Sequence, residues 1–228
     1  MSTDSPFKRP RPLGLRLWHW LNAAALLGSL GTVLLRKTFF SWRTNAALVE
    51  HKVHELGGTI SSDGAVVVAK ALRAPMWDWH YVFGFALTAL LVLRLALTLA
   101  DPEQAPLRTA WREMTRWLPL PVARKKAATH HLLVRLMYAV FYVALTFMVV
   151  SGLILYFEGA LGLSKELKGS VKNAHELAMW LFVIFTGSHV AGVLVAELRG
   201  ERGLVSDMIN GGAPHDPASA ADRAPAAP

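Results

Sequence analysis

The chain has 228 residues, of which 53% are hydrophobic and only 18% charged, and its polar residues collect between long apolar runs. That pattern excludes an ordinary soluble domain and describes an integral membrane protein. A formal charge of +8 would suggest nucleic acid in a soluble chain, but here the cations flank the apolar runs and set topology, so no nucleic-acid partner is expected.

Residues 1–14 form a short basic lead containing prolines. The first apolar run, about Leu17 to Leu35, follows it as the core of a signal peptide would. The run is long, opens on polar aromatic sequence and has no small-residue cleavage site, so it is read as a retained helix. A connection of roughly 40 residues, Arg36 to Asp78, is too long for a simple turn. Within it Ala65 to Leu72 suits a short strand or an interfacial helix, and Trp42, Trp77 and Trp79 suit the headgroup zone.

The second span is Trp79 to Ala100, and the basic stretch Asp101 to Thr129 follows, with Trp111 and Trp117 placed for an amphipathic segment on the cytoplasmic surface. Spans three and four are Leu132 to Phe157 and Ala174 to Ala196. Each of the four is near the ~20 residues that cross a hydrocarbon core. The fold expected is therefore all-α: an integral membrane four-helix bundle over residues 1–211, with an extended outer loop and cytoplasmic surface segments. The Ala/Pro-rich residues 212–228 read as a disordered tail.

Four spans return the chain to its starting side, and the flanking Lys and Arg orient it. Twelve lie beside span ends on the N-terminal side: Lys8, Arg9, Arg11, Arg16, Arg108, Arg112, Arg116, Arg124, Lys125, Lys126, Arg199 and Arg202. Eight lie on the other: Arg36, Lys37, Arg43, Lys70, Arg73, Lys165, Lys168 and Lys172. The excess favours both termini in the cytoplasm.

Of nine histidines, four fall in or at the rims of the spans: His19, His80, His175 and His189. Ionisable side chains at those depths are costly and need a reason. Fourteen residues separate His175 from His189, a rotation of about 1400°, within about 40° of four full turns, so both share one face about 21 Å apart along the helix. Topology then pairs them by depth. His19 near the start of span one lies at the level of His189 near the end of span four, and His80 at the start of span two lies at the level of His175.

Two histidines facing each other can supply both axial positions of an iron porphyrin, so two pairs imply two b-type haems. Arg94, fourteen residues after His80, shares its face and lies at the cytoplasmic level, where a haem propionate would meet a cation. Its plainer reading is a snorkelling arginine. Gly28, Gly31, Gly84, Gly152 and Gly187 would let a flat macrocycle approach the backbone, although glycine is equally common in plain helix packing. His130, His131 and Arg135, at the cytoplasmic start of span three, could meet a propionate or a quinone carbonyl, or be wet interfacial residues. His51, His54 and His215 read as solvated. With no cysteine the chain can hold neither an iron–sulfur cluster nor a thioether-linked haem, so any cluster that feeds it lies on a partner.

Residues 15–211 resemble the b-type cytochrome subunits of membrane-bound nickel–iron hydrogenases, with formate dehydrogenase gamma subunits as more distant relatives. The resemblance is carried by Arg16-Leu-Trp-His-Trp-Leu-Asn22, His80 with Arg94, His130 through Arg135, Ser151-Gly-Leu-Ile-Leu-Tyr156, His175-Glu-Leu-Ala-Met-Trp180 with His189, and Ser206-Asp-Met-Ile-Asn-Gly211. It implies the same two haem pairs, a quinone site near the cytoplasmic haem, and a hydrogenase or other dehydrogenase iron–sulfur subunit docked on the periplasmic side of a bacterial inner membrane. The chain departs from that pattern in its long loop between spans one and two, and in His131-Leu132 where relatives often carry Asn-Pro. Two rivals stand beside this expectation: a free-standing di-haem quinone oxidoreductase with a diffusible donor, and a haem-free transporter or assembly factor whose histidines bind metal or move protons.

Overall fold

A computed structural model describes residues 12–100, 105–198 and 204–211. Every element among them is a helix: α1 Leu13–Lys37, α2 Trp42–Glu55, α3 Ser62–Arg73, α4 Pro75–Ala100, α5 Pro106–Trp117, α6 Val122–Tyr156, α7 Lys165–Leu198 and α8 Leu204–Asn210. α1, α6, α7 and the stretch containing α4 are long and apolar enough to cross a membrane. The chain is a multi-pass, all-α membrane protein. In lipid, helices satisfy their own backbone hydrogen bonds, which is why the apolar runs take this form.

The described residues form two compact units, one made of residues 12–21 with 186–198 and 204–211, the other of residues 22–100 with 105–185. In the larger unit the bulkiest side chains that are almost fully buried are Phe182 and Leu145, and the Phe141 ring lies 5.8 Å from that of Phe182 and 4.8 Å from that of Phe185. Many other apolar side chains are exposed, among them Val92, Val140 and Ile184. Lipid is as apolar as they are, so there is no drive to bury them. Buried polar side chains are the more informative ones, and these include Asn22, Thr32 and Ser151.

The connection expected as a loop is an antiparallel helical hairpin, α2 and α3. Ala46, Ala65 and Ala69 let the two helices approach closely, with Trp42, Val49, Ile60 and Val66 packed around them. Gly57, at φ 78°, ends α2 in a conformation that side chains resist, and the Gly57 and Gly58 N–H groups donate back to His54 and Val53 carbonyls at 3.0 and 2.9 Å. Ser61 then caps α3, its Oγ accepting from Gly64 N–H at 3.1 Å. The segment Ala65 to Leu72 is thus helix and not strand.

α6 begins at Val122, ten residues ahead of the apolar run that marks it in the sequence. The extension carries Thr129, whose Oγ1 accepts from the Trp117 indole of α5 at 3.0 Å, while Lys125 lies 4.4 Å over the Trp117 ring. The amphipathic segment expected around Trp111 and Trp117 is α5. The tail, residues 212–228, lies outside the described residues.

In the smaller unit α8 is held at both ends. Its first turn is capped by Glu197, whose Oε1 accepts from Val205 N–H at 3.1 Å. Its last carbonyls take bonds from α1: Trp20 Nε1 donates to Met208 O at 2.8 Å, and the Arg16 guanidinium donates to Ile209 O. Helix C-terminal carbonyls have no intrahelical partner, and here α1 supplies one.

Candidate functional site

The four span histidines come together as two pairs. In the smaller unit the His19 and His189 rings have centroids 6.3 Å apart; in the larger, His80 and His175 are 6.5 Å apart. These separations can be tested against a metal. An imidazole nitrogen sits about 2.0–2.1 Å from its metal and about 1.1–1.2 Å from its own ring centre, so two rings on opposite sides of one ion have centroids about 6.2–6.6 Å apart. Both pairs meet that requirement.

The donor set narrows the metal. Among the described residues no three His, Cys, Asp or Glu side chains converge on one point, so each pair offers two nitrogens, the number a porphyrin leaves open once it has supplied its own four. The nearby carboxylate Glu176 is engaged elsewhere, in an ion pair with Lys37.

The surroundings of each pair are built from residues of neighbouring helices. His19 packs edge-on against Trp20 at 5.4 Å, the same tryptophan that holds Met208 O. Two of the motifs that carry the family resemblance, Arg16 to Asn22 and Ser206 to Gly211, therefore meet in one structure beside His19. At the other pair, Trp77 packs edge-on against His80 at 5.6 Å, and the Arg36 guanidinium lies 4.0 Å over the Trp77 ring. Ser29 Oγ and Thr32 Oγ1 lie 3.3 and 3.1 Å from His80 Nδ1, and Ser151 Oγ lies 2.8 Å from His175 Nδ1.

The glycines divide. A Cβ on Gly152 would stand 3.3 Å from His175 Cε1, and one on Gly31, Gly84 or Gly187 would meet nothing within 4 Å, so those backbones leave room for a flat ring. Gly28 does not: its Cβ would stand 2.5 Å from the Phe83 ring, so this glycine serves helix packing.

Arg94 holds its guanidinium 5.9 Å over the Tyr142 ring. Arg135 is exposed on α6, and His130 and His131 lie on the same helix but their side chains are outside the described residues. His51 and His54 are exposed on α2, His51 against Glu55 at 3.4 Å.

Sequence reasoning missed Ser29, Thr32, Ser151, Trp77 and Arg36 as neighbours of the second pair. A signal existed for the hydroxyls, since a buried polar side chain within a span needs a partner as much as a histidine does.

The model of the prokaryotic cytochrome b561 family matches residues 11–211. The chain belongs to that family. It is therefore a membrane electron-transfer cytochrome with b-type haem as its cofactor. Among curated relatives, it is 25% identical over 226 residues to the probable Ni/Fe-hydrogenase B-type cytochrome subunit of Cupriavidus necator, covering 86% of this chain and 83% of the relative. It is 24% identical over 222 residues to the protein of the same description from Rhizobium leguminosarum bv. viciae, covering 86% and 84%. No solved structure matches it significantly.

Proposed function

We propose that this cytochrome holds two b-type haems, one between His19 and His189 and one between His80 and His175, and transfers electrons between a periplasmic nickel–iron hydrogenase and the quinone pool of a bacterial inner membrane. The observation that carries the reading is that two histidine pairs, with ring centroids 6.3 and 6.5 Å apart, stand at the separation two imidazoles would need to hold one metal ion between them. Held by these histidines, haem would supply one-electron ferric–ferrous chemistry. The chain's own residues hold the ligand rings, with Trp20 packed edge-on against His19 and Trp77 against His80, and offer Arg94 to a propionate.

The hydrogenase partner rests on the descriptions of the two relatives, and the lack of cysteine requires the iron–sulfur relay to belong to that partner. We infer a quinone on the cytoplasmic side, with His130, His131 and Arg135 as its candidate contacts. A quinone there takes two electrons and two protons to become the quinol, the protons entering from the cytoplasm.

Haem stoichiometry tests the centre. Pyridine haemochrome analysis of detergent-purified protein is expected to give two haems per chain, and one in His175→Ala and in His189→Ala. A wild-type preparation without haem, or variants that keep both, overturns the assignment. Recovery of a hydrogenase iron–sulfur subunit in mild detergent separates the partnered reading from a free-standing oxidoreductase.

A further inference from the structure

We propose that Ser151 and the Ser29–Thr32 pair are positioning residues that accept hydrogen bonds from the Nδ1–H groups of His175 and His80, holding each imidazole in the tautomer whose Nε2 lone pair is free for iron. The inference rests on the haem reading of that pair and adds to it which side chains make the rings ligands.

Proton accounting gives the direction of each bond. A hydroxyl has one proton to donate and two lone pairs. Ser151 Oγ lies 2.6 Å from Phe147 O and 3.3 Å from Met148 O, carbonyls that can only accept, so its proton goes to them. What it presents to His175 Nδ1 at 2.8 Å is a lone pair, and the proton between them belongs to Nδ1. A neutral imidazole with Nδ1 protonated carries its free lone pair on Nε2.

At the facing ring the same logic runs through Thr32, and the Nδ1 proton that Thr32 fixes leaves Ser29 Oγ the accepting role. Thr32 Oγ1 donates to Ser29 O at 2.7 Å and lies 3.1 Å from His80 Nδ1; Ser29 Oγ stands 3.3 Å from the same nitrogen.

Intrahelical bonding of Ser and Thr to a carbonyl one turn back is ordinary in spans and explains only where the hydroxyl proton goes. It does not explain why hydroxyls from two different helices, α6 and α1, each face the Nδ1 atom of a histidine on α7 or α4. Burial adds to this: Ser151 is 4% and Thr32 6% exposed, in a membrane chain where a buried hydroxyl needs a second partner to offset its desolvation.

A ligand histidine that donates its other N–H is held in orientation and is a more basic donor to its metal. More basic axial ligands favour ferric over ferrous iron. Removing a hydroxyl therefore raises the midpoint potential of this centre and weakens its hold on haem.

The test is a redox titration of the full-length, detergent-purified protein, followed by absorbance and by the low-spin ferric EPR signal. In Ser151→Ala, and in Ser29→Ala/Thr32→Val, the His80/His175 centre is expected at higher potential with a shifted EPR signal, and with haem retention weakened ~10-fold, the lower end of the range for lost outer partners of a metal ligand. The His19/His189 centre of the same molecules keeps its haem, potential and signal, which reports an intact fold, and Ser151→Thr restores the wild-type values. The proposal is overturned if potential, signal and retention are unchanged in both variants. It is equally overturned if both centres are lost together and Ser151→Thr is no better than Ser151→Ala, which marks a packing role. Absence of haem from the wild type sinks the haem reading instead, so the two failures are distinguishable.

Discussion

Gly28 and Gly152 show how a single methyl group separates packing from the site. A Cβ at residue 28 would press into the Phe83 ring at 2.5 Å. Gly28→Ala gains up to ~1 kcal/mol of helix propensity but overpacks at a cost of about 1–3 kcal/mol. The net expectation is a lower melting temperature in detergent at unchanged haem content. At Gly152 the neighbour is the candidate ligand itself, 3.3 Å away at His175 Cε1. Gly152→Leu is expected to displace that ring and lose one of two haems, and a haem-to-protein ratio that stays at the wild-type value would contradict the placement. The histidine pairs were legible because helical periodicity puts residues 175 and 189 on one face and topology supplies their partners. The hydroxyls carried only the signal of polarity within a span, which did not name their partners, since Ser29, Thr32 and Ser151 reach the rings from other helices and share no sequence period with them.

At the scale of elements, the spans were readable from hydropathy and their ends were not. α6 extends ten residues ahead of its apolar run because α5 packs against that extension through Trp117 and Thr129, a tertiary contact that no window average contains. Of the α2–α3 hairpin, the Ala65–Leu72 half was legible as a strand or an interfacial helix, whereas α2 was not, because its share of the core is Ala46, too small to stand out from a polar connection. The small size of alanine is nonetheless what the hairpin needs: Ala65 and Ala69 are 0% exposed, so Ala69→Leu forces the helices apart at about 1–3 kcal/mol. Limited proteolysis is expected to cut residues 42–73 faster in that variant while haem content stays at the wild-type level. α8 offers a gentler case. Trp20→Phe keeps the ring but removes the indole bond to Met208 O, worth roughly 1 kcal/mol, and amide exchange is expected to quicken across residues 204–210 by up to ~10-fold, with equal exchange rates speaking against α1 as the brace.

For the whole molecule the proposed orientation follows from two independent constraints. Four crossings, one for each helix of spanning length, would return the chain to the side on which it started, whatever that side is. The excess of flanking cations then selects the side, and the segment that has to cross is decisive. Residues 36–78, containing the α2–α3 hairpin, are short enough for charge to govern their fate, and they carry Arg36, Lys37, Arg43, Lys52, Lys70 and Arg73. Those cations oppose translocation, and Glu50, Glu55 and Asp63 do little to help because acidic residues contribute weakly to topology. The N-terminal cations at residues 8, 9, 11 and 16 and the basic stretch from Arg108 to Lys126 outweigh them. A fluorescent protein fused after Pro228 should therefore glow, and alkaline phosphatase inserted between Gly57 and Gly58, at the tip of the hairpin, should be active. The reverse pattern would put the hairpin and the His80/His175 pair in the cytoplasm, and would remove the basis for a periplasmic donor at that pair. Because the margin is set by opposing clusters, neutralising Lys8, Arg9, Arg11 and Arg16 together should yield a mixed population by the same two reporters, whereas neutralising the hairpin's cations should leave the orientation uniform.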